Sequence, residues 1–416
     1  MKQLLFMLLL IIITYPITAQ QDDTIEISPE LIAHLDQLDV AVSQLRELDI
    51  LADVERRFPT RQDVIDFVMQ ATQEELDVQT VLEQTQFYIA FDFVSPEFDL
   101  VATYTTLLAD QVAGFYDPET GIMNVLLTSP DAVLEDELPI LEQLVYVHEY
   151  THALQDQHFD LLTYLEDVTE PDASLAALAL VEGDATLVMQ DYTLLLAEQD
   201  PLALLALLDD DLLLDAEMPA GTPAVLEAEL TMPYFDGLLF VMALHRDGGW
   251  DSVDAAYANP PVSTEQIFHP EKYLAGEMPI AVSLPPVELG EGWEQLMDYT
   301  LGEFYLREYL NTQVDRSTAI NAAAGWGGDR MNLYYNADRD ARAWVIELVM
   351  DTPEDAIEFK TAYMDFILGR LPESTVIGDC YTTQAETLCL LDVDDTTLKI
   401  SYAPEVTLAR QLLDNS

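Results

Sequence analysis

The segment HEYTH at 148–152 constrains the fold more than any other feature of this chain. Two histidines four residues apart lie about 40° apart around a helix and one turn along it, so His148 and His152 reach one cation only if the segment is helical. The apolar residues that precede it at 144–147 indicate that this helix packs in a core. The sequence therefore predicts a helix that presents two imidazole rings to a metal ion.

Glu149, which follows the first histidine, indicates what the metal does. It is placed to take a proton from a water molecule at the metal, as in the HExxH pattern. Zinc suits this task because it accepts nitrogen and oxygen ligands and lowers the pKa of bound water towards ~7. The chain contains only six histidines in 416 residues, so a chance match to the pattern is rare. We therefore expect Zn²⁺ at His148 and His152, with Glu149 as the general base.

A catalytic zinc site needs a third protein ligand, and two residues compete for this role. His158 lies six residues after His152, which is the metzincin spacing, but that pattern requires a glycine where this chain has Gln155. Without that break the helix continues, and His158 stays far from the metal along the helix axis. Glu182 is the stronger candidate, because an acid in the apolar stretch 180–185 is costly to bury unless it has a partner.

Together, HEYTH at 148–152 and EGDA at 182–185 resemble the gluzincin branch of the zincin metallopeptidases. The resemblance implies a zincin-like catalytic domain, hydrolysis of peptide bonds and Glu182 as the third zinc ligand. It also implies that the strand at 122–127 is the sheet edge along which an extended substrate lies. The gap before Glu182 is longer than in thermolysin, so the details of the thermolysin cleft do not carry over.

Three other segments, at 112–118, 152–159 and 261–270, resemble a group of bacterial exported proteins to which no substrate is assigned. That resemblance covers most of the mature chain, whereas the gluzincin resemblance covers residues 110–260. It implies export and adds no activity.

Hydrolysis also needs a hydrogen-bond donor for the developing oxyanion besides the metal. Tyr234 begins a Tyr-x-x-Gly element that looks like one found in several gluzincins, and His269 lies in a proline-bounded loop. His245 lies near the end of a predicted helix, where interaction with the helix dipole is the simpler role. We expect His269 or Tyr234 to be the catalytic donor.

Two further sets of polar residues each allow two interpretations. Asp184 and Asp156 either hold a ligand histidine in one tautomer or are solvated surface acids. The segment WGGDR at 326–330 is either a functional loop or a tight junction between domains, and we favour the junction.

Residues 1–19 have the pattern of a secretory signal peptide. Lys2 precedes an apolar run at 4–15, and Ala19 offers a small residue for cleavage. No later segment reaches the length of a membrane span without charges. We therefore predict a secreted or extracytoplasmic protein without membrane contact after signal cleavage, with an uncleaved anchor as the alternative.

The formal net charge of -61 at pH 7 excludes two classes of partner. Nucleic acids and anionic lipids are both repelled by such a surface. The chain has only two cysteines, Cys380 and Cys389. In an exported protein a pair this close favours a disulfide over a metal site, and free thiols are the alternative.

The distribution of helical and strand patterns predicts an α+β, predominantly helical fold. We expect an N-terminal helical region at 20–98, which is either a propeptide or a fixed subdomain. A zincin-like catalytic domain with an active-site helix and a small sheet follows at 99–285, and a mixed α/β C-terminal domain occupies 286–416.

Local signals place the elements within these domains. Ser28 and Pro29 start a helix, the turn residues at 117–121 form a hairpin, and Pro139 opens the long helix that carries HEYTH. Further helices are predicted near 60–68, 99–112, 174–195, 203–215, 235–258, after 290 and at 353–369. A loop is predicted at 260–270, a Gly-rich turn at 325–328, and strands near 122–127, 330–335, 342–350, 386–392 and 396–402.

These observations favour a secreted zinc-dependent metallohydrolase, most directly a peptidase that acts on a peptide or protein substrate. The alternative is a non-catalytic exported binding or scaffold protein with a zincin-like fold, in which zinc is structural or absent. Glu149 separates the two, because a structural zinc site does not need an acid beside its ligand. The sequence leaves the oligomeric state and the cleavage specificity open.

Overall fold

The computed structural model describes residues 28–60, 62–65, 78–111, 114–126, 137–166, 168–199, 218–219 and 221–415. Of these residues, 56% are helical, and the strands form two sheets. This confirms the predicted α+β, predominantly helical class. The predicted signal peptide at 1–19 and the predicted helix at 203–215 lie outside the described residues.

The helices in chain order are α1 (Pro29–Arg46), α2 (Val78–Ala90), α3 (Leu100–Gln111), α4 (Ile140–Phe159), α5 (Leu161–Glu166), α6 (Pro171–Gln199), α7 (Ala224–Gly248), α8 (Trp250–Ala258), α9 (Thr264–Phe268), α10 (Pro270–Ala275), α11 (Gly302–Asn311), α12 (Arg316–Ala323), α13 (Pro353–Arg370) and α14 (Val406–Asn415). The strands are β1 (Glu55–Arg57), β2 (Gly114–Asp117), β3 (Ile122–Val125), β4 (Trp293–Tyr299), β5 (Trp326–Asn336), β6 (Ala341–Met350), β7 (Thr375–Ile377), β8 (Cys380–Thr382), β9 (Thr387–Asp392) and β10 (Thr397–Ala403). Among the described residues, no helix combines the length and the apolar character needed to cross a bilayer.

Several predicted starts and turns are confirmed, because short-range hydrogen bonding determines them. The Ser28 hydroxyl accepts a hydrogen bond from Leu31 N at 3.0 Å and caps α1. Pro139 directly precedes α4. The hairpin between β2 and β3 turns through Gly121, whose φ of 68° suits glycine.

Four segments differ from the predictions. The helix predicted after residue 290 starts only at Gly302, because residues 293–299 pair with β5 as β4. The Gly-rich turn predicted at 325–328 instead enters β5 through a bulge between Trp326 and Gly328. The predicted loop at 260–270 holds the short helix α9, and the predicted helix at 235–258 is two helices separated at Gly249. At 293–299 and 325–328 long-range strand pairing overrides the local pattern.

The small sheet lies beside α4 and has the strand order β1-β3-β2. The expectation that the strand at 122–127 forms the sheet edge is therefore wrong. The N-terminal segment supplies β1, which pairs in parallel with β3 and leaves β3 at the centre. The edge strand next to α4 is β2, which pairs with β3 on its other side. This sheet crosses the predicted boundary between residues 98 and 99.

The large sheet is antiparallel throughout, with the order β4-β5-β6-β10-β9-β8-β7. Alternate residues face opposite sides, so Ala343 and Val345 pack beneath α14, while Trp344 and Ile346 face the main core. Cys380 lies directly opposite Cys389 on β8 and β9, and the predicted disulfide between them is confirmed.

The N-terminal region packs against both sheets. Helix α1 packs against α4 and α6, and β1 completes the small sheet. Helix α2 reaches the large sheet, where the Trp344 indole donates to the Ala90 carbonyl at 3.1 Å and Phe91 stacks on the same indole. In the described structure, this region is therefore part of the common core.

Glu229 on α7 is a fully buried acid that is held by tyrosine hydroxyls. Tyr88 lies 2.9 Å from both of its oxygens, Tyr305 donates to one of them at 2.7 Å, and Tyr104 lies 3.1 Å from Tyr88. These tyrosines come from α2, α11 and α3, so the network joins the N-terminal region, α7 and the C-terminal region. Burial raises the pKa of Glu229 to about 7, although hydrogen bonds from Tyr305 and Tyr88 oppose the shift.

Glu229→Gln is expected to flatten the pH dependence of the free energy of unfolding between about pH 4.5 and about pH 7. The pKa of Glu229 in the fold lies above its ordinary value of 4.5, so the native protein favours the neutral acid. The native state therefore loses stability as pH rises through this window, by about 3 kcal/mol for this group. Urea unfolding of both proteins at about pH 5 and about pH 8 measures the difference. A variant with the same pH dependence as the unchanged protein would contradict the prediction.

Candidate metal centre

Helix α4 carries HEYTH and continues to Phe159 without a break. His148 and His152 are buried on the face that packs against α6, as the apolar residues before them predict. The helix passes through Gln155 and includes His158, whose Nε2 lies 2.8 Å from the Asp49 carbonyl. The structure therefore keeps His158 away from the two motif histidines, as the missing glycine predicts.

Three ligand atoms meet at this face. His148 Nε2 lies 3.1 Å from His152 Nε2 and 3.1 Å from Glu182 Oε2, and His152 Nε2 lies 3.5 Å from the same oxygen. Zinc bonds of 2.0–2.1 Å in a tetrahedral site separate the ligand atoms by about 3.3 Å. The three atoms therefore have the spacing of one face of such a site, and His₂Glu is a donor set suited to zinc.

Glu182 reaches this position because α6 and α7 touch through their backbones. A Cβ added to Gly183 would overlap the Gly237 backbone, and a Cβ added to Gly237 would overlap the Ala179 carbonyl. The two helices can lie this close only because glycine, which has no Cβ, occupies both positions. The contact lies one residue from Glu182 and one helical turn from Tyr234, so it brings both side chains to the cluster.

The electrostatics of the cluster favour a positive charge between the ligands. Glu182 is 0% exposed, and its Oε1 has no hydrogen-bond partner among the described residues. Burial alone would raise the pKa of Glu182, yet His152 and His148 lower it to about 2. Burial would lower the pKa of His152, but the Glu182 carboxylate outweighs it and raises the pKa to about 9. A buried carboxylate of this kind needs a cation, which a bound metal would supply.

Gln155 orients His152 from the side opposite the cluster. Its Oε1 lies 2.8 Å from His152 Nδ1, and its Nε2 donates to the Val181 carbonyl at 3.0 Å. The sequence interpretation missed this role because it considered Gln155 only as a helix former. The available signal was the spacing of three from His152, which places both side chains on one helix face.

Asp184 and Asp156, which the sequence analysis considered as hydrogen-bond partners of a ligand histidine, are bonded to other residues. Asp184 is fully buried and pairs with Arg46 at 2.7 Å, while Tyr257 donates to its second oxygen at 2.8 Å. Asp156 accepts hydrogen bonds from the Tyr116 hydroxyl at 2.8 Å and from Leu161 N at 3.0 Å. Neither acid holds a ligand histidine, and neither is a freely solvated surface group.

Glu149 lies between the cluster and the edge strand β2. Its Oε2 accepts a hydrogen bond from Tyr116 N at 2.9 Å, so β2 holds the carboxylate in place. Burial raises the pKa of Glu149, whereas His148 and His152 lower it and Glu182 raises it further. A carboxylate with a raised pKa beside the ligand atoms is suited to accept and return a proton. Tyr116 is a second residue that the sequence interpretation missed.

The structure separates the two candidate oxyanion donors. The Tyr234 ring stacks on His148 with a centroid distance of 5.8 Å. Burial raises the pKa of Tyr234 well above its ordinary value, as do the Glu182 and Glu149 carboxylates. Its hydroxyl therefore stays protonated and able to donate. His269 instead pairs with Glu303 at 3.1 Å, and His245, in the last turn of α7, packs against Trp250.

A second group of acids does not form a comparable site. Glu265, Glu277 and Asp351 lie close enough together to share a cation. The Lys272 ammonium already fills that position, because it pairs with Glu265 at 2.5 Å, with Glu277 at 3.3 Å and with Asp351. This group is therefore an internal ion-pair network.

The WGGDR segment at 326–330 forms a junction. Asp329 accepts hydrogen bonds from Leu301 N and Gly302 N, each at 3.0 Å, and from the Trp326 indole at 2.8 Å. Arg330 pairs with Glu170, which lies just before α6. These bonds tie the large sheet to the start of α6.

Comparison with known proteins gives one match. Residues 294–413 match a family model described as a domain of unknown function (DUF8575). This region corresponds to the large sheet and its helices, and it does not include the cluster on α4 and α6. No curated protein and no solved structure matches the chain.

Proposed function

We propose that the protein is a zinc-dependent metallohydrolase of the gluzincin type, and that it cleaves peptide bonds. One observation carries this proposal: His148, His152 and Glu182 converge with tetrahedral spacing while Glu149 lies beside them without being one of the three. A structural zinc site is closed by four protein ligands, whereas three ligands and a neighbouring acid are typical of a catalytic one. The zincin-like character of residues 99–285 belongs to the same proposal.

Each residue has one task in this reaction. When bound, zinc supplies a Lewis acid that polarises the substrate carbonyl and lowers the pKa of the attacking water. Glu149 takes the proton from that water and returns it to the leaving amine. The Tyr234 hydroxyl, which stays protonated, donates a hydrogen bond to the developing oxyanion. His269 does not share this task in our proposal, since Glu303 holds its ring.

We further propose that the protein works outside the cytoplasm. Its buried disulfide between Cys380 and Cys389 is of a kind that persists in oxidising compartments. The predicted signal peptide at 1–19 agrees with this location. A peptide or protein substrate, and neither nucleic acid nor an anionic membrane, suits the strongly negative chain.

Metal analysis of three proteins tests the site. We expect about one zinc per chain in the unchanged protein, retained in His158→Ala and lost in Glu182→Ala, by mass spectrometry after purification. His158→Ala is the matched control, because His158 lies on the same helix as the motif but bonds to Asp49. Zinc loss only in His158→Ala would indicate a metzincin-like site. Absence of zinc from the unchanged protein, even after reconstitution, would remove the hydrolase proposal and leave the non-catalytic scaffold.

A further inference from the structure

The buried side chain of Gln155 links the two helices that carry the proposed metal ligands. Gln155 is 0% exposed and lies on α4, one turn after His152. Its Oε1 is 2.8 Å from His152 Nδ1, and its Nε2 is 3.0 Å from the carbonyl of Val181 on α6. Val181 directly precedes Glu182, so this amide links one ligand side chain to the backbone beside another.

The hydrogen bond to Val181 fixes the direction of the hydrogen bond to His152. A carbonyl only accepts, so the amide nitrogen of Gln155 must face Val181 and the amide oxygen must face His152. That oxygen also only accepts, so His152 Nδ1 carries the proton. In the neutral imidazole, His152 Nε2, which faces the cluster, is therefore left with the lone pair that a metal requires.

We propose that Gln155 is a positioning residue for the metal centre. It sets the tautomer and the ring orientation of His152, and its hydrogen bond to the Val181 carbonyl on α6 fixes the orientation of its own amide. This inference rests on the zinc site proposed above. The motif on α4 is thereby extended to His-x-x-Gln, from His152 to Gln155. Gln155 stands where the metzincin pattern has its glycine, so the residue that lets α4 continue also supports the His152 ring.

A neutral amide suits this position better than a carboxylate. Gln155 needs one acceptor for His152 and one donor for Val181, and an amide supplies both while remaining uncharged. A carboxylate would face the Val181 carbonyl without a proton, in a buried region that already contains Glu182 and Glu149. The amide therefore satisfies both neighbours without adding a third buried negative charge.

Two substitutions at Gln155 separate its role at the metal from simple packing. Gln155→Met keeps the length of the side chain and removes both hydrogen bonds, so we expect the zinc dissociation constant to rise about 10-fold to 100-fold. Gln155→Glu keeps an acceptor for His152, but it loses the donor to Val181 and adds a buried negative charge. We expect it to bind zinc about as tightly as the unchanged protein, although its apo form unfolds more easily. Competition with a chromophoric chelator measures the affinity, and circular dichroism measures the stability.

Gln157→Met is the matched control. Gln157 lies two residues further along α4 and also bridges to another segment, through hydrogen bonds to the backbone of Leu51 and Ala52. It does not contact the cluster, so its loss should leave zinc affinity unchanged. In the unchanged protein we also expect an exchange-protected ring N–H proton resonance for His152, which should be lost in Gln155→Met.

The outcomes distinguish this inference from the function on which it rests. An unchanged protein that binds no zinc overturns both. An unchanged protein that binds zinc, with Gln155→Met binding it equally well, overturns only the role of Gln155. Equal weakening in Gln155→Met and Gln155→Glu would mean that the residue acts through its hydrogen bond to Val181 and not through His152, which also overturns the inference. If Gln155→Met does not fold, the His152 resonance and the zinc affinity of Gln155→Glu still decide the question.

Discussion

Glu149→Gln is expected to lower kcat by about a hundredfold to ten-thousandfold and to leave zinc bound. Glutamine has the same size as glutamate, and its amide oxygen can still accept the hydrogen bond from Tyr116 N. It cannot take a proton from water or return one to a leaving amine, so the reaction loses its general base. Zinc stays, because the three atoms that meet in the cluster belong to His148, His152 and Glu182.

Hydrolysis of a mixed library of fluorescence-quenched peptides measures this effect, together with zinc content by mass spectrometry. Glu142→Gln is a matched control, since it makes the same chemical change on the same helix, two turns before Glu149. A Glu149→Gln protein with normal activity and normal zinc content would exclude Glu149 as the base. Loss of zinc together with activity would instead assign Glu149 to holding the metal.

The convergence of His148, His152 and Glu182 could be predicted from the sequence because each residue leaves a local signal. The spacing of His148 and His152 has a meaning only on a helix, and Glu182 stands out as an acid in an apolar stretch. The absence of glycine at Gln155 correctly predicted that α4 continues past His158. These arguments need no knowledge of which helices touch.

The rest of the site depends on contacts between segments that are distant in sequence. The backbone contact of Gly183 with Gly237 places Tyr234 at the cluster, and a helical pattern does not show where two helices cross. The position of β3 at the sheet centre depends on pairing with residues 55–57, whose short sequence gives no strand signal. The sequence offered both His269 and Tyr234 as donors, with a slight preference for His269, and only packing separates them.

Arg46→Met is expected to lower the free energy of unfolding by about 3–5 kcal/mol, because it leaves a buried charge without its partner. Arg46 and Asp184 both have fully buried side chains and pair at 2.7 Å. Methionine fills much of the same space but cannot neutralise Asp184, which then keeps only the hydrogen bond from Tyr257. Urea unfolding of the two proteins measures the loss. An exposed pair provides the control, since Arg339→Met breaks the contact of Arg339 with Glu405 and should cost at most about 1 kcal/mol.

A double variant identifies the cause of this loss. If the cost comes from the unpaired charge of Asp184, then Asp184→Asn should restore much of the stability of Arg46→Met. If it comes from lost packing of the guanidinium on Trp250, which it approaches to 4.4 Å, the second substitution should restore nothing. Arg46 ends α1 and Asp184 lies two residues after Glu182, so a large charge effect would show that the N-terminal helix stabilises the part of α6 that carries the proposed metal ligand. A chain trimmed of that helix would then leave Asp184 without the Arg46 charge, close to Glu182, which argues against α1 as a removable propeptide.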